Sequence, residues 1–172
     1  MDEVAKFSYA KPILSMRPED VQVFRERAID LLKQLIRKKG KSPESYVIRD
    51  VKPKTDLGLT NEEWKHTYSA SYTEETWIQK TLDDDRFLVI YGYTNTSPSP
   101  KTLYMLVKRG NVPILYIHTQ AVHMQENPVA LFNPEGFAEG EKITVLLYGD
   151  STGDDKPVLL AVFAEPVKET IT

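Results

Sequence analysis

The sequence predicts a single-domain, mainly β protein: an antiparallel β-sandwich or barrel of about eight strands, in jelly-roll or immunoglobulin-like Greek-key order, with the long connections before Val129 and Lys142 favouring the jelly roll, and one N-terminal amphipathic α-helix. Three observations predict it. One segment near the N-terminus carries a helical apolar period with ends that match a helix dipole. From Trp64 onward, apolar stretches of strand length recur at short intervals, separated by turn-forming residues. No helical period intervenes between those stretches, which excludes an alternating βαβ sheet.

In chain order, residues 1–16 read as an extended arm with Pro12 in its middle and Phe7, Tyr9, Ile13 and Leu14 as apolar anchors. Such an arm orders itself on a neighbour, and we expect it to serve assembly. Residues 17–40 read as the amphipathic helix. Pro18 suits the first helical position, and Glu19 and Asp20 place negative charge in the first turn. Val21, Phe24, Ala28, Leu31 and Leu35 form one stripe, broadened by Leu32 and Ile36. Arg37, Lys38 and Lys39 fill the last turn and Gly40 stops it. The expected helix has about 22 residues and a length of roughly 33 Å.

Residues 41–172 read as the sandwich. A short strand is expected at Tyr46–Ile48, between loop-forming segments at 41–45 and 51–63. His66, Tyr68, Ala70 and Tyr72 alternate with small polar residues, the period of a half-buried strand. Further strands are expected at Thr76–Leu82, Arg86–Tyr93, Thr102–Lys108, Ile114–Met124, Val129–Phe132, Lys142–Tyr148 and Pro157–Glu165. Gly110-Asn111 between two apolar runs is a hairpin signal. The segments 83–85, 94–100, 126–128, 133–136 and 149–155 punctuate the rest.

A chain of 172 residues with 41% hydrophobic and 27% charged residues can bury one core of ordinary size. A formal charge of −3 and a pI near 5.7 argue against direct nucleic-acid binding. No apolar run approaches the roughly 18 residues of a membrane span. The first residues lack the pattern of a secretory leader, so synthesis in the host cytoplasm without classical secretion is expected. The chain has no cysteine, which removes disulfides, thiolate metal sites and thiol nucleophiles.

Motifs that carry chemistry are scarce. His118 and His123, five apart on one expected strand, have opposite parity and point to opposite faces. With His66, they read as structural or surface histidines. No nucleophile elbow, phosphate loop, dinucleotide fingerprint or zinc-protease motif is present. Gly149 to Asp155 resembles a calcium loop in composition but lacks the flanking helices and distal Glu. Asp83-Asp84-Asp85 reads as a solvated turn, and Asn95-Thr96-Ser97 forms a glycosylation sequon. Tyr91, Tyr93, Tyr104 and Tyr116 occupy strand positions where aromatics pack, with stacking on a sugar as the alternative. Arg37, Lys38, Lys39 and Lys41 complement the helix C-terminus, and alternatively offer a membrane- or partner-facing patch. No catalytic residue, cofactor or metal is expected, and the chain reads as a non-enzyme.

The C-terminal half carries a resemblance. Phe87 to Gly149, followed by Lys156 to Val167, has a strand ending in Tyr-Gly, a polar loop and a Gly-turn hairpin. A Phe-x-Pro segment, the stretch GEKITV and a final aliphatic strand ending in Glu-Pro follow. With an N-terminal helix and this length, the chain resembles the small single jelly-roll major capsid protein of tailless, membrane-containing icosahedral phages of thermophiles, the sphaerolipovirus-like group. The resemblance covers residues 86–167 in pattern and the whole chain in layout. It implies a barrel standing upright in a capsid shell, pairing with copies of itself (a dimer) and with a second, larger barrel protein, its helical base toward an internal membrane. The other function class that the residues allow is a non-catalytic, ligand-binding sandwich such as a carbohydrate-binding module.

Overall fold

The computed structural model describes residues 13–15, 17–118 and 128–168. A 3-10 turn at Pro18–Asp20 leads into the main helix, Val21–Lys38 (α1), and a second, short helix spans Pro53–Leu57 (α2). The strands are Ile13–Ser15 (β1), Tyr46–Asp50 (β2), His66–Tyr68 (β3), Glu74–Thr81 (β4) and Phe87–Asn95 (β5). Then come Thr102–Arg109 (β6), Val112–His118 (β7), Val129–Phe137 (β8), Lys142–Gly149 (β9), Gly153–Asp155 (β10) and Pro157–Pro166 (β11).

All strand pairs are antiparallel. One sheet runs β1-β8-β5-β11-β2, the other β4-β9-β6-β7, with β10 and β3 forming a small ribbon. Setting aside the short β1, β3 and β10, eight strands remain. Numbered along the chain, the first, eighth, third and sixth lie side by side in one sheet, and the second, seventh, fourth and fifth in the other. That interleaving is the double Greek key of a jelly roll. The two sheets stay open and do not close into a barrel.

Period-two alternation explains how the layers divide. On β5, Leu88 and Ile90 enter the core between the sheets, while Phe87, Val89 and Tyr91 face the opposite way, against the helix. Both faces of β5 are covered, so it reads as an unbroken apolar run. From β6, β9 and β11 the inner core takes Met105, Val107, Val145, Leu147, Leu159 and Phe163. The helix lays Ala28, Leu32 and Ile36, all fully buried, on Phe87, Val89, Tyr91, Ala138, Val162 and Ala164. Burial of a Leu or Ile side chain contributes on the order of 2 kcal/mol, so Leu32 and Ile36 are strong contributors to this contact.

Several expectations need correction. The regular helix has 18 residues, because Pro18 and its neighbours form a tighter 3-10 turn first. The arm is not wholly separate: Ile13, Leu14 and Ser15 pair with Leu131, Ala130 and Val129 as an added edge strand. The strand expected through Tyr72 stops at Tyr68, and Tyr72 takes a left-handed backbone with φ 52°. The turn expected at 133–136 lies inside β8, where the pairing slips from Ile90↔Glu135 to Gly92↔Ala130. The intervening residues bulge, as an inserted stretch in one strand must. Gly92 is required opposite that bulge, since a Cβ there would collide with the carbonyl oxygen of Val129. Gly110-Asn111 does form the two-residue turn between β6 and β7, with Gly110 at φ 62°.

Candidate assembly surfaces

The basic run at the end of α1 divides in two. Arg37, Lys38 and Lys39 are exposed. Lys41 instead turns back, forming an ion pair with Asp85 and lying 3.4 Å from Glu139. Asp85 also accepts from the Tyr46 hydroxyl at 3.2 Å, and its N–H donates to Glu139 at 2.7 Å. Lys41 holds the Asp85 carboxyl below its ordinary range, and the Asp85 N–H with Lys41 does the same for Glu139. Lys41 is therefore a tie between the helix end and the sheets, and the exposed patch consists of Arg37, Lys38 and Lys39. The apolar stripe of α1 is spent on the sheet; its outer side carries Gln22, Glu26, Arg27, Asp30 and Gln34. Among the described residues no helix is long and apolar enough to cross a membrane.

Of the expected arm anchors, Phe7 and Tyr9 lie outside the described residues. Ile13 and Leu14 sit in β1 by backbone pairing. His123 also lies outside the described residues, and His118 closes β7.

His66, on β3, meets Glu75, on β4, with Nε2 3.0 Å from the carboxylate. It borders a cleft of about 330 Å³ whose other walls include Thr60, Asn61, Glu63, Lys65 and Trp77. The polar groups here serve the fold. Trp77 Nε1 donates to the carbonyl of Lys65, and Lys65 Nζ lies 3.3 Å from Asp154. Glu75 also accepts from the N–H groups of Ser69 and Ala70 and the Ser69 hydroxyl. It thus clamps the turn that presents Tyr72, which is 64% exposed. Burial alone would raise the Glu75 carboxyl, but the Ala70 N–H, His66 and the Ser69 donors hold it below the ordinary range.

A folded pKa below the unfolded one adds stability that is present above the unfolded value, about 4.3 for Glu, and lost as pH falls through the folded one. Glu75, Asp85, Glu139 and Glu165 all titrate in this sense. Chemical denaturation midpoints should be level from neutral pH down to about 5 and fall below that. Glu75→Gln should remove part of the acid-side fall; an unchanged profile would contradict its clamping role.

The tyrosines divide by face. Tyr93 enters the inner core and Tyr91 lies under the helix. Tyr104 and Tyr116 cluster with Leu106, Leu146 and Tyr148 on the outer face of the four-stranded sheet. There a row of rings runs Tyr72, Tyr148, Tyr104, Tyr116, His118, with centroid separations of 6.1, 4.7, 5.1 and 6.1 Å.

The acids of the 149–155 loop are absorbed by the hairpin. Asp154 accepts from Thr67 at 2.6 Å. Asp155, fully buried, accepts at one oxygen from Asn95 Nδ2, the Thr102 N–H and the Thr102 hydroxyl, at 2.9, 2.9 and 2.7 Å. The Thr102 hydroxyl in turn meets the Tyr68 hydroxyl at 2.6 Å. Asn95, the sequon asparagine, is thereby spent on an internal contact. Among the described residues, no group of three or more His, Cys, Asp or Glu side chains is placed to hold a metal ion. The network was invisible in the sequence, because its members come from four separated strands, β3, β5, β6 and β10, and only Asp155 among them carries charge.

The fold and its surfaces define the class: an open two-sheet jelly roll with a helix bound to the outer face of one sheet. No protein-family model matches the chain, and no curated protein matches it in sequence.

Proposed function

We propose that this chain is a structural capsid protein of the small single jelly-roll kind, which builds an icosahedral shell with copies of itself and a second barrel protein. The observation that carries this reading is the strand order, first-eighth-third-sixth over second-seventh-fourth-fifth, the architecture of many viral coat domains. The exposed Arg37, Lys38 and Lys39 sit at the C-terminal end of α1, where they would meet an anionic internal membrane, each contributing about 1 kcal/mol. Contact with lipid would come from this charge, because the helix's apolar stripe is occupied. In this reading the protein resides in the virion and performs no catalysis.

The row of rings on the four-stranded sheet favours a second reading, a carbohydrate-binding sandwich. Tyr104 and Tyr116, in the middle of that row, are only 5% and 3% exposed, however. A sugar ring needs an open aromatic face, so the row is better explained as packing.

Native mass spectrometry over rising concentration, alone and with the candidate second barrel protein, tests assembly. Defined oligomers or a mixed complex are expected. A strict monomer under both conditions would remove the capsid reading. Flotation with anionic against neutral vesicles tests the basic patch: binding to anionic vesicles only, lost on Arg37→Ala/Lys38→Ala/Lys39→Ala, is expected.

A further inference from the structure

A groove of about 310 Å³ opens between the start of α1 and strands β5 and β11. Its walls are mostly apolar: Val21 from the helix, Val51 just after β2, and Val158 and Leu160 from β11. Polar groups enter it at three places. Tyr91 is only 3% exposed and Trp64 is half-buried, and both line the groove. Among the described residues, neither the Tyr91 hydroxyl nor the Trp64 indole N–H has a hydrogen-bond partner. Arg25 and Asp50 form the third place, a 2.7 Å ion pair at the rim.

The backbone explains how Tyr91 comes to face this space. β11 passes from Leu160, opposite Gly92, directly to Ala161, opposite Ile90, so Tyr91 has no partner residue on that strand. It is the extra residue of a bulge, a device that re-aims a side chain. Its hydroxyl is not sealed in the interior. Atoms shut off from solvent without a hydrogen bond are confined, among the described residues, to Arg109 and Asp155. Burial pushes the Tyr91 hydroxyl up to about 12, so it keeps its proton and donates at neutral pH. Apolar walls with a few placed polar groups are the build of a small-molecule site, and the volume lies at the lower end of that class.

We infer that this groove binds a small neutral amphiphile, with an apolar body of several carbons on the valine and leucine walls and one hydroxyl or carbonyl oxygen accepting from Tyr91 and Trp64. The two donors select an acceptor. The rim selects against charge, because Arg25 already donates to Asp50 and a carboxylate head would meet the Asp50 charge. The site lies at the opposite end of α1 from Arg37, Lys38 and Lys39, and it is independent of the capsid reading.

The probe is n-octanol, followed on the full chain by the indole N–H signals of the two tryptophans in proton–nitrogen NMR spectra. Trp77 serves as the internal control, since its Nε1 is held by the Lys65 carbonyl. Octanol should shift the Trp64 signal saturably, with a dissociation constant below about 1 mM, and move Trp77 far less. Octanoate should bind roughly threefold more weakly or worse. Tyr91→Phe keeps the ring, removes one hydrogen bond, and should weaken octanol about three- to tenfold. Val158→Phe fills the groove from a half-buried position and should abolish the shift; should that variant not fold, Tyr91→Phe decides alone. A Trp64 shift that does not saturate, or that is the same in both variants as in the parent chain, overturns the inference. Octanoate binding as tightly as octanol overturns the neutral ligand class. A Trp64 signal that moves with protein concentration alone would give the groove to another protein surface, and overturns the inference as well.

Discussion

Arg49→Ala should destabilise the protein by about 3–5 kcal/mol, the loss typical of removing one partner of a buried ion pair. Arg49 grips Asp56 with two parallel hydrogen bonds of 2.6 and 2.9 Å, and its Nε donates to Glu165 at 3.1 Å. Its guanidinium also lies 5.2 Å from the centre of the Phe163 ring. The Asp56 hydrogen bond, opposed by burial and reinforced by Glu165, raises the Arg49 pKa, so the guanidinium keeps its charge. Asp56 is only 4% exposed. Its remaining donor would be the Lys52 N–H at 2.7 Å, so truncating Arg49 leaves a buried carboxylate without its cation. Thermal and urea unfolding would read the loss, and a change below about 1 kcal/mol would contradict the role assigned here. The double replacement Arg49→Met/Asp56→Leu should recover most of it, since removing both charges removes the uncompensated burial. The consequence reaches past stability: this pair ties the α2 loop to β2, so its loss should loosen the edge of the five-stranded sheet first.

Asp155→Ala should cost about 3 kcal/mol or more, because each buried donor left without an acceptor costs about 1–3 kcal/mol. The donors stranded would be Asn95 Nδ2, the Thr102 N–H and the Thr102 hydroxyl. Asn95 ends β5 in one sheet and Thr102 opens β6 in the other. One carboxylate therefore staples the two sheets together at that end of the sandwich. Asp155→Asn keeps an acceptor of similar shape and should lose less. Urea denaturation separates the two variants, and equal losses would mean that the contact is packing rather than hydrogen bonding. Near-ultraviolet circular dichroism should also change in Asp155→Ala, since Tyr68 and Tyr93 border the network.

Both residues show where sequence reading stops. Asp155 read as part of a turn with calcium-loop composition, and Asn95 as part of a sequon. Only when β5, β6 and β10 converge does a buried carboxylate with three donors emerge. Arg49 and Asp56, seven apart across a loop segment, carried no periodic signal, because the short α2 that aligns them is a single turn set by Pro53 and closed by Gly58 at φ 76°. Lys41 was read with its basic neighbours along the chain, yet its charge is claimed by Asp85 and Glu139 from the sheets. Charge runs are counted along the sequence, whereas ion pairs form across it.

The sequence by itself determined the class and the helix, because those follow from local periodicity, turn residues and dipole-matched ends. It also determined the hairpin at Gly110-Asn111, where the turn chemistry is complete in two residues. Tertiary structure alone decided that the eight strands interleave as a jelly roll, and that the sheets remain open. It decided as well that the apolar stripe of α1 is consumed by Phe87, Val89 and Val162. The physical reason is common to all of these: which strands become neighbours depends on long-range pairing free energies, which no stretch of local sequence contains.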